Sequence, residues 1–578
     1  MLGVSGPLNC SHAAIQSVLP QGTSVDFVQN VPSTSYFEVP PGNIPYPTSP
    51  KNLSSVCVVS VRVQAPANTS YGFGLFLPND WNGRFLAVGN GGFAGGINWL
   101  DMSVGTRYGF ATMSTDTGHN SSTTDGKWAY LQPELVNNWG HRAMHGSVVA
   151  AKQLTEAYYA KKPAYSYFHG CSTGGRQGLK EAETFPEDFD GIISGAPSWW
   201  IKHLQVWTTR LALNNLPRTA EHHIPPDLFS AIGAEVLKQC DAQDGLVDSI
   251  ISNPYECNFR PEALLCPANV TNSTAARCLT GPQIGTVKKI YSSWTLSNQT
   301  FIHPHLAPGS EPGWPVWLLN STVSDNPSQF GTEYVKYFLG LGPDWDFRTL
   351  NDGILALAQQ FDPGNASVSP DLSKFHDKGG KIIGYHGLSD SLIPAASSPY
   401  YYNLVDQSMK PKGIEVEDFY RIFMVPGMGH CGGSHVSFNA SWYFAGSSQA
   451  PLLGLDVHSV PGFSDAKHDV LLMLQAWVEN GTAPENIIAT KYTNETEHKT
   501  VLRQRPVCMY PKEAKYKGTG DIDQPDSWEC KLPSEAAPVQ KIPTPSPTGA
   551  ASHILSGPNL MLVMLIAVVS GLCVAASL

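Results

Sequence analysis

Residues 165–178, YSYFHGCSTGGRQG, decide the fold class, because they join an apolar strand, a glycine-rich turn and the start of a helix. Gly170 to Gly174 reads Gly-Cys-Ser-Thr-Gly and satisfies the G-x-S-x-G pattern in the strand–turn–helix context that this motif needs. The pattern holds a serine in a strained turn, and the glycines let the backbone pass closely. The stretch therefore predicts a nucleophile elbow at Ser172. Cys171 is a second candidate nucleophile, directly beside it.

Other segments along the chain alternate between strand and helix patterns. Apolar and β-branched runs predict strands at 53–63, 84–88, 165–170, 381–387 and 419–427, and helical patterns cover 141–159 and 467–481. This alternation indicates an α/β fold with a largely parallel sheet.

An acid and a base follow the serine in the order Ser, Asp, His that an α/β-hydrolase requires. Asp390 comes just after the predicted strand 381–387, and His430 follows the strand FYRIFMV. Open α/β sheets keep their sites beyond the carboxyl ends of strands. We therefore predict an α/β-hydrolase fold in which Ser172, Asp390 and His430 form the catalytic triad. His386 is an alternative histidine close to Asp390.

Length and composition bound the domain organisation. The chain has 578 residues, too many for one ordinary domain, and a formal net charge of −11 with no basic block, which makes nucleic-acid binding unlikely. Between about 201 and 370 cysteine, tryptophan and proline are frequent and strand signals weaken, so we interpret this part as an inserted lid domain. The predicted organisation is a hydrolase domain in two parts (1–200 and 371–531), the lid (201–370), a Pro/Ser-rich stalk (532–559) and a hydrophobic tail (560–578).

Cysteines and glycosylation sequons indicate the secretory pathway. Eleven cysteines are dispersed along the chain with no C-x-x-C pair, which disfavours a zinc cluster. N-x-S/T sequons occur at Asn9, Asn52, Asn68, Asn120, Asn269, Asn272, Asn298, Asn320, Asn365, Asn439, Asn480 and Asn494. We expect a secreted, disulfide-bonded glycoprotein.

The C-terminal end indicates a glycosylphosphatidylinositol (GPI) attachment signal. The uncharged stretch 560–578 is long enough to span a bilayer, and the small residues at 548–552 precede it across a short polar spacer. A retained membrane helix is the alternative. GPI attachment requires entry into the endoplasmic reticulum, so we expect a signal peptide upstream of Met1. Removal of the tail would remove Cys573 and leave ten cysteines, which can pair completely.

The cysteine beside the serine has a possible partner. Cys171 precedes Ser172 and Cys431 follows His430. If Ser172 and His430 lie within hydrogen-bond reach, these two cysteines are close enough for a disulfide that fixes the base to the elbow. Two unrelated thiols are the alternative.

The segments GCSTGG, HGLSDSLIP and GMGHC resemble the tannase/feruloyl esterase family of secreted serine esterases, from about Cys10 to Cys530. In that family a disulfide joins the residues next to the catalytic serine and histidine. The resemblance implies Ser172 as nucleophile, His430 as base and Asp390 as the acid that orients it. It also implies the pairs Cys10–Cys57, Cys240–Cys257, Cys266–Cys278 and Cys508–Cys530.

An oxyanion hole needs two backbone N–H donors. Thr173, directly after the nucleophile, is one candidate. The glycine-rich loop AVGNGGFAGG (87–96) after an early strand offers the second, at Gly91 or Gly92. A plain glycine turn is the alternative.

Residues 240–251, CDAQDGLVDSII, form a candidate calcium loop. Three aspartates within eight residues offer hard oxygen ligands and Gly245 permits a turn, although no Glu occupies the twelfth position of an EF-hand. A solvated acidic loop is the alternative. The resemblance implies a structural Ca²⁺ in the lid, and its ligands are the side chains of Asp241, Asp244 and Asp248 with the carbonyls of Leu246 and Ile250.

The resemblance implies hydrolysis of aromatic-acid esters, feruloyl or p-coumaroyl groups on plant polysaccharide or galloyl groups on tannins. We expect the acyl pocket under the lid, where Trp199, Trp200 and Trp207 are available. Two rival interpretations are a thiol hydrolase with Cys171 as nucleophile and a non-catalytic cell-surface protein on the same scaffold.

Overall fold

The strand predicted at 165–170 is present and lies inside a nine-stranded sheet. The structure is a computed structural model that describes residues 8–270, 272–317 and 325–533. The predicted hydrophobic tail lies outside these residues, as does the stalk apart from its first two residues.

The strands are β1 (Thr23–Val31), β2 (Val56–Gln64), β3 (Ser70–Pro78), β4 (Arg84–Val88), β5 (Ala111–Thr115), β6 (Tyr165–Cys171), β7 (Gly191–Gly195), β8 (Trp294–Thr295), β9 (Phe301–His303), β10 (Lys381–Gly387), β11 (Tyr420–Val425), β12 (Asn486–Tyr492), β13 (Val501–Cys508), β14 (Glu513–Tyr516) and β15 (Trp528–Lys531). The main sheet has the order β1-β2-β3-β5-β4-β6-β7-β10-β11. β1, β2, β3 and β5 pair antiparallel, and from β5 through β11 every pair is parallel. The α/β prediction is therefore confirmed.

The α-helices are α1 (His12–Gln16), α2 (Trp99–Arg107), α3 (Pro133–Asn137), α4 (Ala143–Tyr159), α5 (Thr173–Thr184), α6 (Ile201–Leu213), α7 (Phe229–Cys240), α8 (Ser273–Ala276), α9 (Gly281–Ile290), α10 (Trp314–Trp317), α11 (Gln329–Glu333), α12 (Asp352–Phe361), α13 (Ser373–Asp377), α14 (Ser397–Met409), α15 (Ala450–Leu453) and α16 (Val470–Asn480). The predicted helix 141–159 begins as a π-helical turn at 138–142 and continues as α4. The predicted helix 467–481 is α16, which the Asp469 carboxylate caps and Gly481 ends with a φ of 69°.

The parallel strands bring the predicted site residues to one edge of the sheet. The glycine-rich loop follows β4, Ser172 follows β6, Asp390 follows β10 and His430 follows β11. Because parallel strands present their carboxyl ends at the same edge, these four segments lie on the same side of the molecule. β6 and β10 are buried along nearly their whole length, as expected of parallel strands covered on both faces.

Four strands of the main sheet, β1, β3, β5 and β7, were not predicted. β3 carries two glycines that weaken its sequence pattern, and packing explains Gly74, because a Cβ there would come within 2.4 Å of the Trp99 ring. β5 and β7 are only five residues long, too short for a clear periodic signal.

Residues 201–370, which we call the insert, add no strand to the main sheet within their described part. They contain α6 to α12 and the small β8–β9 hairpin. Their apolar residues, among them Trp207, Ile232, Val287, Trp314 and Tyr334, form one hydrophobic cluster. Some residues of adjoining segments also belong to this cluster.

Five disulfides join the cysteines of the described residues in the expected pairs. They are Cys10–Cys57, Cys171–Cys431, Cys240–Cys257, Cys266–Cys278 and Cys508–Cys530. Cys573 lies outside the described residues.

Candidate active site

Ser172 sits in a strained turn between β6 and α5. Its φ of 62° and ψ of −123° lie where residues other than glycine are rarely found. A Cβ on Gly170 would come within 2.5 Å of the Gly174 backbone, so the elbow requires glycine there. The Ser172 N–H donates to the Gly195 carbonyl at 2.9 Å, and the Ser172 carbonyl accepts from the Arg176 N–H at 3.0 Å. These contacts hold the strained turn in place.

Asp390 and His430 form a close pair at the same edge. His430 Nδ1 lies 2.6 Å from Asp390 Oδ2, so the hydrogen-bond network places the proton on Nδ1 and leaves Nε2 free to accept one. The other carboxylate oxygen, Oδ1, accepts from the N–H groups of Leu392 and Ile393 at 2.8 and 2.9 Å. Asp390 is fully buried and has a donor for each oxygen.

The alternative histidine, His386, contacts the same carboxylate oxygen of Asp390 as His430 does. Its Nε2 is 3.1 Å from Asp390 Oδ2 and 3.0 Å from the Ile393 carbonyl oxygen, and its Nδ1 is 2.8 Å from Ser398 Oγ. Both ring nitrogens are thus engaged in the core, and His386 is fully buried. It supports Asp390 and is not placed to act as the base.

Electrostatics keep Asp390 ionised. Burial by itself raises the pKa of its carboxyl group, but the charge of His430 and hydrogen bonds from His386 and His430 outweigh burial, and the pKa lies well below its usual range. An ionised Asp390 can stabilise the imidazolium that forms when His430 accepts a proton.

The Cys171–Cys431 disulfide joins the elbow to the base loop, with its Cα atoms 5.9 Å apart. It leaves no thiol on Cys171, which argues against the thiol-hydrolase interpretation. In the part of the chain that the structure describes, no hydrogen bond joins the Ser172 hydroxyl to His430. Such bonds are often long until substrate is bound. The disulfide joins the sequence neighbours of these two residues, Cys171 and Cys431.

Gln449, which the sequence analysis did not single out, fastens the base loop. Its Nε2 donates to the Cys431 carbonyl at 3.1 Å, and its Oε1 accepts from the N–H groups of Phe444 and Gly446 at 3.1 and 3.0 Å. The side chain is fully buried. An isolated glutamine carries no sequence signal for this role, because apart from a 3.5 Å contact of Nε2 with Met428 Sδ its partners are backbone groups.

The glycine-rich loop distinguishes the two oxyanion candidates. The Gly91 N–H donates to the Tyr46 hydroxyl at 2.8 Å. The Gly92 and Thr173 N–H groups have no acceptor within the described residues. The Thr173 hydroxyl donates to the Gly92 carbonyl at 2.9 Å, which ties the two segments together. Gly92 has a φ of 54°, and a Cβ there would come within 2.3 Å of the Thr123 carbonyl oxygen, so only glycine fits.

The candidate calcium loop is folded around Asp241, whose carboxylate accepts from the N–H groups of Asp248, Ser249 and Ile250 at 3.1–3.2 Å. Asp244 accepts from the Leu246 N–H and the Ser252 hydroxyl. Gly245 turns the chain with a φ of 90°.

The donor set of this loop suits Ca²⁺ chemically, since it offers carboxylates and the carbonyls of Leu246 and Ile250, which accept no hydrogen bond from the described residues. However, Asp248 is paired with Arg505, with Oδ2 and Nη2 2.5 Å apart. Of the residues that the structure describes, only His145, Glu181 and Asp188 gather three possible ligand atoms within 4.8 Å of one another. The loop would have to draw its three carboxylates together to enclose an ion.

Of the three tryptophans proposed for the acyl pocket, Trp199 and Trp200 directly precede the insert and Trp207 lies on its first helix, α6. Trp199 and Trp200 stack with centroids 4.9 Å apart, and Trp207 lies 4.7 Å from the His303 ring. Ser198, directly before the stack, donates its N–H to the Ser172 carbonyl at 3.2 Å. The residue directly before the tryptophan stack therefore contacts the turn that carries Ser172.

Taken together, the parallel sheet, the strained serine after β6 and the buried acid–histidine pair after β10 and β11 define an α/β-hydrolase. Residues 55–531 match the family model "Tannase and feruloyl esterase". The chain belongs to this family and is a carboxylic ester hydrolase.

Individual relatives agree with this assignment. "Probable feruloyl esterase B-1" from Aspergillus flavus is 33% identical over 525 residues, which cover 90% of this chain and 95% of the relative. The crystal structure of an esterase from Aspergillus oryzae has a TM-score of 0.81 at 33% identity and covers 90% of this chain and 99% of that chain. Feruloyl esterase B from Aspergillus oryzae has a TM-score of 0.80 at 32% identity and covers 89% and 100%.

In the ranges that the structure describes, no helix combines the length and the apolar character needed to cross a bilayer.

Proposed function

We propose that the protein hydrolyses esters of aromatic acids, and that hydroxycinnamoyl esters such as feruloyl groups on plant cell-wall polysaccharide are its substrates. The observation that carries the proposal is the elbow serine fastened by a disulfide to the loop of a buried acid–histidine pair. The names of the relatives, which are feruloyl esterases, support the substrate class.

In the proposed reaction Ser172 is the nucleophile. Its hydroxyl attacks the ester carbonyl carbon while His430 Nε2 accepts the proton, and Asp390 holds the imidazole through Nδ1. His430 then gives this proton to the leaving alcohol, and an acyl-enzyme remains. Water activated by His430 attacks the acyl carbon, releases the aromatic acid and returns the proton to Ser172.

The oxyanion of both tetrahedral intermediates would be held by the N–H groups of Thr173 and Gly92. Both donors lack an acceptor within the described residues, whereas the Gly91 N–H is engaged by Tyr46. Preorganised donors of this kind are typically worth about 3 kcal/mol each in the transition state.

The insert would act as the lid that shapes the acyl pocket. The Trp199–Trp200 stack stands at its first helix, next to the segment that contacts the Ser172 carbonyl. Trp199 is only 3% exposed and Trp207 only 2%, so Trp200, which keeps part of its surface, is the ring on which an aromatic acyl group would pack.

Galloyl esters are the second substrate class, because the same family includes tannases. A non-catalytic surface protein is the other alternative, and the intact acid–base pair argues against it.

The test is an assay of methyl ferulate and methyl gallate with the native protein and Ser172→Ala. We expect the native protein to prefer the ferulate and the variant to lose activity by roughly 10⁴-fold or more. Ser292→Ala, which changes a serine at the end of α9, is the control and should keep native activity. Full activity of Ser172→Ala, or no hydrolysis of either ester by the native protein, would contradict the mechanism.

We also propose that the loop 241–250 binds a structural Ca²⁺, held by Asp241, Asp244, Asp248 and the carbonyls of Leu246 and Ile250. The ion would order the loop and take no part in catalysis. Its hard oxygen donors and its unpaired carbonyls support this assignment.

Thermal unfolding with Ca²⁺ and after removal of Ca²⁺ by EDTA checks the site. Ligand at about 100 times its Kd stabilises a folded protein by about 2.7 kcal/mol, so the melting temperature should rise with Ca²⁺. Asp244→Asn should reduce this rise, whereas the exposed control Asp344→Asn should keep it. Equal melting temperatures with Ca²⁺ and EDTA would remove the calcium proposal.

Secretion, N-glycosylation and a GPI anchor complete the proposal. The five disulfides support an oxidising compartment, since such bonds persist outside the cytosol. Phospholipase treatment of membranes should release a GPI-anchored protein, whereas continued retention would favour a membrane helix.

A further inference from the structure

A second cluster of ligand-type side chains lies behind the active site, between α4, α5 and the turn that follows α5. It consists of His145 on α4, Glu181 on α5 and Asp188 in the turn. Glu181 is nine residues beyond Ser172, which corresponds to about 13 Å along a helix axis. The cluster is therefore separate from the catalytic residues and independent of the proposed ester hydrolysis.

The three side chains converge. One ligand atom from each residue, the Nδ1 of His145 or a carboxylate oxygen, lies within 4.8 Å of the other two. His145 Nδ1 and Asp188 Oδ2 are 2.7 Å apart. Ligands at about 2.0–2.2 Å from a tetrahedral ion lie about 3.3–3.6 Å apart, so the pair at 2.7 Å would open slightly and any wider pair, which is at most 4.8 Å apart, would close around the ion.

Glu181 provides an independent indication that something is bound here. Its side chain is only 1% exposed, and neither of its carboxylate oxygens has a hydrogen-bond partner among the described residues. A buried carboxylate without a partner is costly, so it requires either a proton or a cation. Burial first, and then the neighbouring negative charge of Asp188, raises the pKa of Glu181 well above its usual value.

Neighbouring side chains hold the cluster in place, and His145 is partly exposed to solvent. The His145 ring stacks on Phe185 with centroids 3.7 Å apart and planes 8° apart, which sets the direction of Nδ1. The Lys152 ammonium donates to the Asp188 main-chain carbonyl at 2.8 Å, so it does not occupy the carboxylate. His145 keeps 34% of its side chain exposed, and an ion can enter there.

We propose that His145, Glu181 and Asp188 form a zinc site with a water molecule in the fourth position. One imidazole and two carboxylates suit Zn²⁺, which commonly takes three protein ligands and a water. Calcium is disfavoured because it prefers six to eight oxygen ligands.

Metal ligands bind in their deprotonated forms, so the ion would replace the direct contact between His145 Nδ1 and Asp188 Oδ2. The ion would join α4, α5 and the following turn. It would thereby stabilise the helix that begins at the nucleophile without touching the substrate.

The experiment measures zinc in the full-length protein after equilibration with ZnCl₂ and dialysis, by elemental analysis. We expect about one zinc per chain, and a higher melting temperature with ZnCl₂ than with CaCl₂ or MgCl₂. Glu181→Gln and His145→Asn should each lower zinc affinity on the order of 100-fold or more, since even outer-shell partners of a metal are worth 10–100-fold.

His468→Ala is the matched control, because His468 also pairs with an aspartate, Asp465, at 2.8 Å but has no third ligand among the described residues. This variant should keep its zinc. Circular dichroism checks that each variant is folded, and either of the two site variants suffices if the other fails to fold. If the native protein retains no zinc, Glu181 and Asp188 share a proton instead and the zinc proposal is wrong. Equal zinc in native protein and both site variants would also overturn it.

Discussion

Asp390 is the single residue on which most of the candidate active site depends. One oxygen of its carboxylate, Oδ2, contacts two histidines, and the other, Oδ1, accepts hydrogen bonds from two backbone N–H groups. The sequence placed Asp390 and His430 correctly after their strands but left His386 open as an alternative base. The order Ser, Asp, His favours His430, which follows Asp390 in the chain, and the structure adds the reason: both ring nitrogens of His386 already have partners in the core.

Asp390→Asn should reduce kcat by about 10⁴-fold, because the amide favours the wrong tautomer of His430. It should also change the pH dependence of stability. The folded-state pKa of Asp390 lies below the unfolded value of about 3.9. The ionised side chain therefore contributes fully to the free energy of unfolding above pH ~4, and this contribution is lost as the pH falls through the folded pKa. The difference in unfolding free energy between native protein and variant should therefore narrow below pH ~4.

Chemical unfolding at several pH values measures this difference. Asp344→Asn, an exposed aspartate with no hydrogen-bonded side chain among the described residues, should show no such change. If the difference in unfolding free energy between native protein and Asp390→Asn grows as the pH falls, the assignment of Asp390 as the ionised partner is wrong.

Gln449 should act as a positioning residue for the base loop. Gln449→Leu leaves the Cys431 carbonyl without its donor and should lower kcat by roughly 10–100-fold with little change in KM, since a misplacement of about 1 Å can cost that much. Gln449→Glu keeps the acceptor for Phe444 and Gly446 but still lacks the donor to the Cys431 carbonyl, so it should not recover the lost kcat. The exposed Gln132→Leu is the control. If KM rises and kcat is unchanged, Gln449 acts on substrate binding and the positioning role is wrong.

At the scale of elements, the strand–turn–helix unit of β6 and α5 was predictable because its features are local. An apolar run, two glycines and a helical pattern follow one another within twenty residues. Strands β1, β3, β5 and β7 were not predicted, since their identity depends on neighbours far along the chain. Gly74 illustrates this: it weakens the strand pattern of β3 but is required by Trp99 on α2.

Gly170→Ala should destabilise the elbow by about 1–3 kcal/mol, the usual cost of overpacking, and should reduce activity as well. The added Cβ would come within 2.5 Å of the Gly174 carbonyl carbon and oxygen. Gly281→Ala on α9 is the matched control, because no described atom lies within 4 Å of the added Cβ. Thermal unfolding and the ester assay measure both effects. Equal stability of the two variants would show that the elbow can relax.

At the scale of the whole molecule, the disulfides and the insert set the architecture. The Cys171–Cys431 pair was predicted from its position beside Ser172 and His430, and the other four pairs were implied by the family resemblance. The lid domain, predicted from the change in composition near residue 201, stays a prediction. The sequence did not indicate the buried contacts by which Gln449 holds the base loop, because these partners are mostly backbone atoms.

Removal of the Cys171–Cys431 bridge by a double change to alanine should lower both stability and activity. The bridge closes 260 residues, for which chain entropy gives roughly 5.5 kcal/mol as an upper figure. It also links the turn that carries Ser172 to the loop that carries His430, so kcat should fall. Removing Cys266–Cys278, which closes 12 residues, should cost at most about 3 kcal/mol and leave kcat unchanged. Unaltered kcat in the first variant would show that the loops hold the base without the bridge.

The same bridge has a topological consequence. Because Cys171 and Cys431 flank the whole insert, a single proteolytic cut anywhere between them produces two polypeptides that remain covalently joined. Ser172 would be on one fragment, and His430 would stay attached to it through sulfur. A nicked two-chain enzyme of this kind would migrate as one band on a non-reducing gel and as two after reduction, with its catalytic residues still linked.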